Sequence, residues 1–285
     1  MKPPYLTPEA LQSFITAALQ EDIGPGDYSS LAAIPDGKKG QARLLVKERG
    51  ILAGVELATH IFQAVDPELR VELLKKDGDE VQSGDLGLLV SGPSGSILSA
   101  ERLVLNCMQR MSAIATKTHR LTQLISHTKA RLMDTRKTTP NFRLMEKWAV
   151  LIGGGVNHRF ALYDMIMLKD NHIDFAGGIR PAIERTKNYL DDHQLNLKIE
   201  VETRNLEEVD QVLAVGGVDF IMLDNMDPDT MKEAVKRING RMGTEASGGI
   251  TESNLVEVAE CGVDYISMGA LTHSVSSLDI SLKAF

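Results

Sequence analysis

The sequence predicts an α/β protein in two parts, an N-terminal α+β unit followed by an open, incomplete α/β barrel. Short β-type runs separated by Gly and Asp turns occupy residues 40–95, and the 31 residues from Ile97 to His127 then contain no Pro or Gly. After them, six apolar β-type runs alternate with helical segments. Apolar strands between helices are typical of a parallel sheet covered by helices. A closed barrel of this class has eight such units. The six units in this sequence therefore predict an open barrel.

Composition limits the classes of partner. The chain has 285 residues, of which 43% are hydrophobic, so it can form a sizeable core. Its 31 Lys and Arg against 39 Asp and Glu give a net charge of -8. Nucleic-acid surfaces depend on Lys and Arg spread over a face, so this charge argues against a nucleic-acid partner. A local basic pocket for a small anionic ligand remains compatible with it.

Cysteine usage and hydropathy predict a cytoplasmic protein with no membrane partner. Cys107 and Cys261 are 154 residues apart and fit neither a disulfide framework nor a metal motif, so both are expected to be buried thiols. The first 24 residues contain no continuous apolar core of the signal-peptide type. No run approaches the roughly 18 apolar residues of a membrane span.

The N-terminal half predicts mixed elements. Thr7, Pro8 and Glu9 supply a cap, a first-turn proline and an early acid for a helix that ends near Gly24. The β-type runs ARLLVKE, LRVELLKK and LGLLVSG surround one helical pattern, GVELATHIFQAV. The stretch from Ile97 predicts one long helix, or two nearly continuous ones, that links the domains.

The C-terminal half predicts repeated βα units. Its β-type runs are ARLMD, DMIMLKD, LKIEVE, VDFIMLD, MGTEA and VDYISMG. The helices between them are predicted at about 142–152, 178–190, 205–215, 228–239 and 251–261. Asn205, Asp227 and Thr251 mark helix starts, and Gly216 and Gly262 mark helix ends.

Polar residues follow or occupy each of these runs. They are Asp134-Thr135-Arg136-Lys137, Lys169-Asp170-Asn171-His172, Glu200 and Glu202, Asp224-Asn225, Ser247-Gly248-Gly249, and Gly269-Ala270. Any one of them alone is more commonly a loop charge, a helix stop or a cap. Their repetition at the same end of six strands favours one pocket, because the carboxyl ends of barrel strands build the active site.

The charges in this predicted pocket indicate the class of ligand. Residues 134–172 contain six Lys or Arg, four acids and two His, although the whole chain is acidic. Arg suits carboxylates and Lys suits phosphates, while the acids suit a divalent cation or ribose hydroxyls. Ser247-Gly248-Gly249, placed directly before a predicted helix, offers backbone N–H groups and a positive helix end to a terminal phosphate. The predicted ligands therefore combine phosphate, carboxylates and a polyol.

The motifs DTRKTTP, GGGVNHR and LKDNH, in this order and spacing, resemble those of quinolinate phosphoribosyltransferase, also called nicotinate-nucleotide pyrophosphorylase (carboxylating). The resemblance covers nearly the whole chain. It implies an N-terminal α/β sandwich at 1–112, an open α/β barrel at 113–275, and a tail, 276–285, that packs on the sandwich. It also implies a homodimer, or a higher oligomer, that joins quinolinate to 5-phosphoribosyl 1-pyrophosphate with Mg²⁺. The products are nicotinate mononucleotide, pyrophosphate and CO2, as in NAD biosynthesis.

The resemblance also implies residue roles. Arg102 resembles an arginine that reaches the neighbouring subunit's site. Glu202 and Asp224 resemble acids that bind ribose and the metal, directly or indirectly, and with Lys137 and Lys169 they form the expected catalytic set. The expected substrate-binding residues are Arg102, Arg136, Lys137, His158, Arg159, Lys169, Glu202, Asp224, Ser247, Gly248, Gly249 and Gly269. The roles of Glu200 and His273 are undecided.

One departure and two alternatives remain. Asn141 stands where the family motif has Gly, and Asn tolerates left-handed backbone better than other non-Gly residues, so the turn is expected to survive. One alternative is another barrel enzyme with Lys169 or Lys137 as a Schiff-base nucleophile, which needs a desolvated lysine. The other is an anion-binding protein without catalysis. Glu202 and Asp224 count against it, because acids weaken an anion site.

Overall fold

The computed structural model describes residues 3–285. They form two compact units. The first unit contains the described residues up to His119, together with Thr138–Gly154 and Leu271–Phe285. The second contains Arg120–Lys137 and Gly155–Ala270. This division differs from the predicted boundary at residue 112, because the helical segment after Thr138 is bonded to the N-terminal part through Arg110 and Glu146.

The first half of the chain contains four helices and five strands. In order they are α1 (Pro8–Asp22), α2 (Tyr28–Ala33), β1 (Lys39–Val46), β2 (Gly50–Ile51), α3 (Val55–Val65), β3 (Arg70–Leu73), β4 (Glu80–Val81), β5 (Leu86–Pro93) and α4 (Ser94–Leu124). The predicted cap of α1 is confirmed, since the Thr7 side chain accepts the Ala10 N–H at 3.2 Å. The long helix α4 is one continuous element of 31 residues.

The second half alternates strands with helices. In order they are β6 (Arg131–Met133), α5 (Arg143–Ile152), β7 (Ile166–Leu168), α6 (Asp170–Ala176), α7 (Ile179–Asp192), β8 (Ile199–Thr203), α8 (Leu206–Val215), β9 (Phe220–Asp224), α9 (Pro228–Ile238), β10 (Gly243–Ser247), α10 (Leu255–Glu260), β11 (Tyr265–Ser267), α11 (Ala270–His273) and β12 (Ile280–Ala284). All six predicted barrel strands are present.

The first unit is built on an antiparallel sheet in the order β12-β1-β5-β3. β12 pairs with β1, with Leu44 opposite Leu282, so the C-terminal tail completes this sheet. Both leucines are buried. The helix α3 contacts β3 and α1, and buries Leu57, Ile61 and Phe62. Helix and sheet thus bury their apolar faces together, which is the sandwich that the sequence resemblance implied.

The second unit is built on a parallel sheet of six strands in the order β6-β11-β10-β9-β8-β7. Val201, Ile221 and Ile266, from β8, β9 and β11, have no exposed surface. The edges are β6 and β7, which follow one another in the chain without pairing. The sheet is therefore barrel-like and open, as predicted. No helix in the described part of the chain is both long and apolar enough to span a membrane.

Three short helices were missed in the sequence. The helices α2, α6 and α11 have six, seven and four residues, which is too short for apolar periodicity to stand out. In α6, Lys169 is the N-cap residue, and its backbone N–H donates to Nδ1 of His172 at 3.0 Å. The polar segment that was interpreted as a loop is therefore a helix start at the barrel mouth.

Candidate active site

The carboxyl ends of the six parallel strands surround a cavity of about 680 Å³. We call it the upper cavity. The predicted residues that line it are Arg136, Lys137, His158, Arg159, Lys169, Glu202, Asp224, Ser247, Gly248 and Gly249. Residues up to 113 positions apart in the chain thus meet because parallel strands end on the same side.

Two predicted residues lie elsewhere. Gly269 follows β11 and does not line the upper cavity, because Ser267, at the end of that strand, takes this position instead. Arg102 is exposed on α4 in the first unit. Its predicted role in a partner's site remains a prediction.

Thr135, Asp170 and Asn225, from the polar segments predicted to form the pocket, also line the cavity. Other lining residues were missed in the sequence, and Glu245 is one of them, because it lies within a strand that was interpreted as core. A signal for Glu245 was present. Side chains alternate along a strand, so Glu245 shares a face with Ser247, two residues later. The same alternation places Glu200 and Glu202 on one face of β8.

Two arginines, Arg136 and Arg159, lie together in the cavity wall. Arg159 is buried, and its Nη1 donates to the carbonyl of Met165 at 3.2 Å. Burial, followed by the charge of Arg136, lowers the pKa of Arg159 below its ordinary value. Two like charges held together in a cavity repel one another, and a bound anion relieves that repulsion. The arrangement therefore suits a ligand with carboxylate groups.

Two acids, Glu202 and Asp224, line the same cavity. Burial, and then the charge of Asp224, raises the pKa of Glu202, while Lys169 acts in the opposite direction. Asp224 accepts a hydrogen bond from Nδ2 of Asn225 at 2.7 Å, which orients its carboxylate. A carboxylate whose pKa is raised by the charge of a neighbouring carboxylate favours a cation or hydroxyl donors between the two.

The segment that carries His158 and Arg159 is held by a buried aspartate. Asp134 has no exposed surface, and it accepts the His158 N–H at 2.9 Å and Nδ2 of Asn157 at 2.6 Å. A carboxylate with bonds to backbone and amide N–H groups fixes a loop strongly. Asp134, the first residue of the DTRK motif, therefore positions the loop. The ligand contacts are expected from its neighbours in the motif.

A buried cluster lies at the base of the cavity. His158 Nε2 is 2.9 Å from Oε2 of Glu200 and 3.3 Å from Oε2 of Glu245. Burial lowers the pKa of His158, but hydrogen bonds to both carboxylates and their charges outweigh it and raise the pKa to about 9. Burial and the charge of Glu245 raise the pKa of Glu200 to about 7, against the opposing effect of His158. The cluster therefore holds an exchangeable proton near neutral pH.

These three residues could also hold a metal, because their ligand atoms lie within 4.8 Å of one another. Their contacts with each other already satisfy most of these atoms. Glu202 and Asp224 are the predicted metal ligands, and they lie at the open mouth where a phosphate-bound cation could reach them. Carboxylate oxygens are the ligands that Mg²⁺ prefers, so this pair fits that ion.

The glycine loop after β10 has left-handed backbone. Gly248 and Gly249 have φ angles of 86° and 61°, and a side chain on Gly248 would collide with Asn225. Glycine is therefore required where this loop approaches Asn225. The predicted helix start at Thr251 is wrong, because α10 begins only at Leu255, after a turn in which Asn254 accepts the Thr251 N–H at 2.8 Å. The loop can still offer its backbone N–H groups to a phosphate.

Comparisons with known proteins agree along the whole chain. Residues 27–112 match the family model described as "Quinolinate phosphoribosyl transferase, N-terminal domain", and residues 114–283 match the corresponding C-terminal domain. The chain is 48% identical over 298 residues to "Nicotinate-nucleotide pyrophosphorylase [carboxylating], chloroplastic" of Arabidopsis thaliana, which covers 99% of this chain and 85% of the relative.

A bacterial relative and a solved structure extend these matches. "Probable nicotinate-nucleotide pyrophosphorylase [carboxylating]" of Bacillus subtilis is 42% identical, over 95% of this chain and 92% of the relative. The crystal structure of NadC from Streptococcus pyogenes superposes with a TM-score of 0.91 at 40% identity, over 98% of this chain and 97% of that one.

Proposed function

Because the chain belongs to the quinolinate phosphoribosyltransferase family, we propose that its upper cavity binds quinolinate and 5-phosphoribosyl 1-pyrophosphate and catalyses that family's decarboxylating transfer. The products are nicotinate mononucleotide, pyrophosphate and CO2, and the reaction belongs to NAD biosynthesis. The observation that carries the proposal is the pairing of a cationic wall with two acids at the mouth of an open α/β barrel. The comparisons confirm the resemblance found in the sequence at the level of the family.

The cations divide between the two substrates by their chemistry. Quinolinate has two adjacent carboxylates, and Arg136, Arg159 and His158 are the groups deep enough and suitably shaped to bind them. Lys137 and Lys169 are exposed at the mouth, where point charges suit a pyrophosphate. The backbone N–H groups of Gly248 and Gly249, in their left-handed loop, would bind the 5-phosphate.

The two acids of the cavity would contact the ribose and the divalent cation. Glu202 and Asp224 would hold Mg²⁺ or the ribose hydroxyls, and a bound Mg²⁺ would stabilise negative charge on the departing pyrophosphate. As the bond from ribose C1 to pyrophosphate breaks, positive charge develops on the sugar, and a nearby carboxylate stabilises it. The ring nitrogen of quinolinate then bonds to C1.

Decarboxylation needs no separate electron sink. Once the ring nitrogen is quaternary, it stabilises the electron pair left on the adjacent carbon when CO2 departs. The contribution of the protein is to hold both substrates in line and to exclude water. The Schiff-base alternative is disfavoured, because Lys137 and Lys169 are both exposed and that mechanism needs a desolvated lysine.

We further propose Mg²⁺ as the cofactor, a homodimer as the active species and the cytoplasm as the location. The donor set at Glu202 and Asp224 supports the metal. The exposed position of Arg102 is compatible with a contact to a second subunit. The dimer is open to a direct measurement of mass in solution, and the location to imaging of a tagged chain.

Pyrophosphate release tests the proposed function. Purified protein with Mg²⁺ should release pyrophosphate only when both quinolinate and phosphoribosyl pyrophosphate are present, and should release CO2 in equal amount. Nicotinate and picolinate, each with one carboxylate, serve as matched control substrates and should react far more slowly. Equal release with either monocarboxylate, or release without any pyridine acid, would contradict the proposal.

A further inference from the structure

A second cavity lies at the amino ends of the parallel strands, opposite the upper cavity. It measures about 220 Å³, and we call it the lower cavity. Its wall includes Arg131, Phe220 and Tyr265, which begin β6, β9 and β11, and Lys198, which directly precedes β8. Barrels of this class fill their interior with layers of side chains, so an open space at this end is unusual. The proposed reaction at the upper mouth makes no use of it.

The strand register places three of its side chains on one face of the sheet. Tyr265 pairs with Arg131 on one side and with Glu245 on the other. Directly paired residues of neighbouring strands have their side chains on the same face. Glu245 lines both cavities and therefore faces the barrel interior. Arg131, Tyr265 and Glu245 thus form one row across the lower cavity, with a cation at one end and an acid at the other.

Two aromatic rings form an apolar part of the wall. The rings of Phe220 and Tyr265 pack edge to face, with their centroids 5.9 Å apart. A Cβ atom on Gly243 would collide with the Phe220 ring, so glycine at this position leaves the space that the ring occupies. Both aromatic side chains are only half-buried. They therefore leave surface for a ligand, and a planar aromatic ring packs well against such a pair.

Two cations lie at the opening of the lower cavity. Arg131 and Lys198 are exposed, and neither forms an ion pair with an acid among residues 3–285. Lys198 Nζ lies 5.2 Å from the centroid of the Phe220 ring. The two charges are therefore available to a carboxylate, and one of them is held beside an aromatic ring.

Glu245 contributes a buried acceptor. It is 1% exposed, and its Oε2 lies 3.3 Å from Nε2 of His158. The other oxygen, Oε1, is buried and has no hydrogen-bond partner within the described part of the chain. A buried carboxylate oxygen without a donor is costly, so a ligand that brings a donor to it is favoured. Quinolinate cannot supply this donor, because its carboxylates and ring nitrogen only accept hydrogen bonds.

The charges of the lower cavity are separated along its depth. Arg131, Arg159 and Lys198 line it together with Glu200 and Glu245, so three cations against two acids leave a formal charge of +1 before the histidine is counted. The two acids are buried, while Arg131 and Lys198 are exposed at the opening. A ligand with its carboxylate outward and a hydrogen-bond donor inward meets a complementary group at both ends.

We propose that the lower cavity binds a single-ring aromatic carboxylate that has a hydroxyl or amino group opposite its carboxylate. The carboxylate meets Arg131 and Lys198, the ring packs on Phe220 and Tyr265, and the hydroxyl or amino group donates to Glu245. Sites for drug-sized ligands measure roughly 300–1,000 Å³, so the smaller lower cavity suits one ring. This site lies at the other end of the barrel and does not depend on the proposed function.

Isothermal titration calorimetry with 4-hydroxybenzoate tests the site. Wild-type protein should bind this probe, and the double variant Arg131→Gln/Lys198→Gln should bind it about tenfold more weakly, because both partners of the carboxylate are lost. The control Arg185→Gln/Lys236→Gln removes the same two charges from exposed positions of α7 and α9 and should bind the probe as wild type does. The probe 4-fluorobenzoate has a similar size but no donor, so it should bind wild type about tenfold more weakly than 4-hydroxybenzoate.

Two measurements distinguish the lower cavity from the upper one, whose arginines also suit carboxylates. Arg136→Ala removes a cation of the upper cavity alone and should leave the affinity for 4-hydroxybenzoate unchanged. Anomalous scattering from crystals grown with 3-bromo-4-hydroxybenzoate should place the bromine in the lower cavity, near Phe220 and Tyr265.

Three results would overturn the inference. The first is the absence of binding to wild-type protein. The second is a probe in the upper cavity only, shown by the bromine position or by affinity that is lost in Arg136→Ala and kept in Arg131→Gln/Lys198→Gln. The third is equal affinity for 4-fluorobenzoate and 4-hydroxybenzoate, which would exclude the donor contact to Glu245 and with it the proposed class of ligand.

Discussion

Glu146 accepts two hydrogen bonds from one arginine, at 3.0 Å from Nε and 2.8 Å from Nη2 of Arg110. The Glu146 side chain is fully buried. The same carboxylate also accepts the backbone N–H and the hydroxyl of Thr139, at 3.0 and 2.8 Å. One buried acid therefore ties α4, α5 and the loop before α5 together within the first unit.

Glu146→Gln should destabilise the protein by about 3 kcal/mol, because breaking a buried ion pair leaves a charge without its partner. Urea unfolding measures this. Glu80→Gln is the control, since Glu80 and Arg49 form an exposed pair at 3.7 Å, which is worth about 0–1 kcal/mol. Equal effects of the two changes would show that the Glu146 network contributes no more than a surface pair.

Asn141→Ala should lower the free energy of unfolding by about 1 kcal/mol, and Asn141→Gly should leave it unchanged or raise it slightly. Asn141 has a φ of 61°, in the left-handed region that was expected at this departure from the family motif. Alanine loses the tolerance of asparagine for this conformation, while glycine adopts it freely. Urea unfolding of both variants decides the order, and an alanine variant more stable than the glycine variant would contradict the backbone argument.

Most of the fold could be predicted because its long elements have strong periodic patterns. The six barrel strands and α4 bury continuous apolar faces, which leave a clear trace in the sequence. The helix α6 could not be predicted, because its polar residues and seven-residue length match a loop equally well. The start of α10 was also misplaced, because Thr251 begins a turn that mimics a helix cap.

The site could be predicted where its residues follow a strand and not where they lie within one. Arg136, Lys169 and Asp224 stand at strand ends, where polarity after an apolar run is conspicuous. Glu245 stands between Thr244 and Ala246 in the middle of β10. The face of the sheet on which its side chain lies follows only from the alternation of side chains along the strand. The contact of Glu245 with His158 joins residues 87 positions apart, so only the sheet order reveals it.

Stability should be highest near pH 5 and should decrease toward pH 9. The folded state raises the pKa of Glu200 from 4.5 to about 7 and that of His158 from 6.5 to about 9, so it binds more protons than the unfolded state in this range. Stability then falls as pH rises. For His158 the whole shift corresponds to roughly 3 kcal/mol, present below its unfolded pKa and lost as pH rises through about 9.

Urea unfolding at pH 5, 7 and 9 provides the measurement. The pKa values of Asp27 and Asp227 are lowered from 3.8 by hydrogen bonds with Ser30 and Thr230, so the stability that they contribute is fully present above pH 3.8 and does not change between pH 5 and 9. Glu245→Gln should flatten the profile, because it removes one of the carboxylates that raise the pKa of His158. A stability that rises between pH 6 and 9 would contradict the prediction.

Arg136→Ala and Lys169→Ala should each abolish turnover and leave the fold intact, because both residues lie at the cavity wall and not in the core. Loss of a charged partner of a desolvated anion costs about 2–5 kcal/mol, or roughly 30-fold to several thousand-fold. Pyrophosphate release measures the loss, and circular dichroism checks the fold. Arg185→Ala, at an exposed position of α7, is the control and should retain activity. Near-normal activity of either site variant would refute its assignment.

An Arg102→Ala subunit mixed with a Lys169→Ala subunit should recover about one quarter of wild-type activity. If each site of a symmetric dimer borrows one arginine, a mixed dimer has one site with both changes and one with neither. With random exchange at equal amounts, half of the dimers are mixed and half of their sites are intact. An Arg70→Ala subunit, which carries another exposed arginine of the first unit, is the control and should itself be active. No recovery despite proven exchange would place Arg102 outside a partner's site.

The sheet orders determine when each unit can be completed during synthesis. β1, near the start of the chain, pairs with β12, and β6 pairs with β11 at residues 265–267. At roughly 5–20 residues per second, a ribosome needs at least several seconds to pass from β6 to β11. Until then β6 has only an isolated bridge between Met133 and Val156, and β1 lacks one of its two partners until residues 280–284 emerge. Nascent chains therefore expose unpaired strand edges from both units through most of translation, which is the state that chaperones bind.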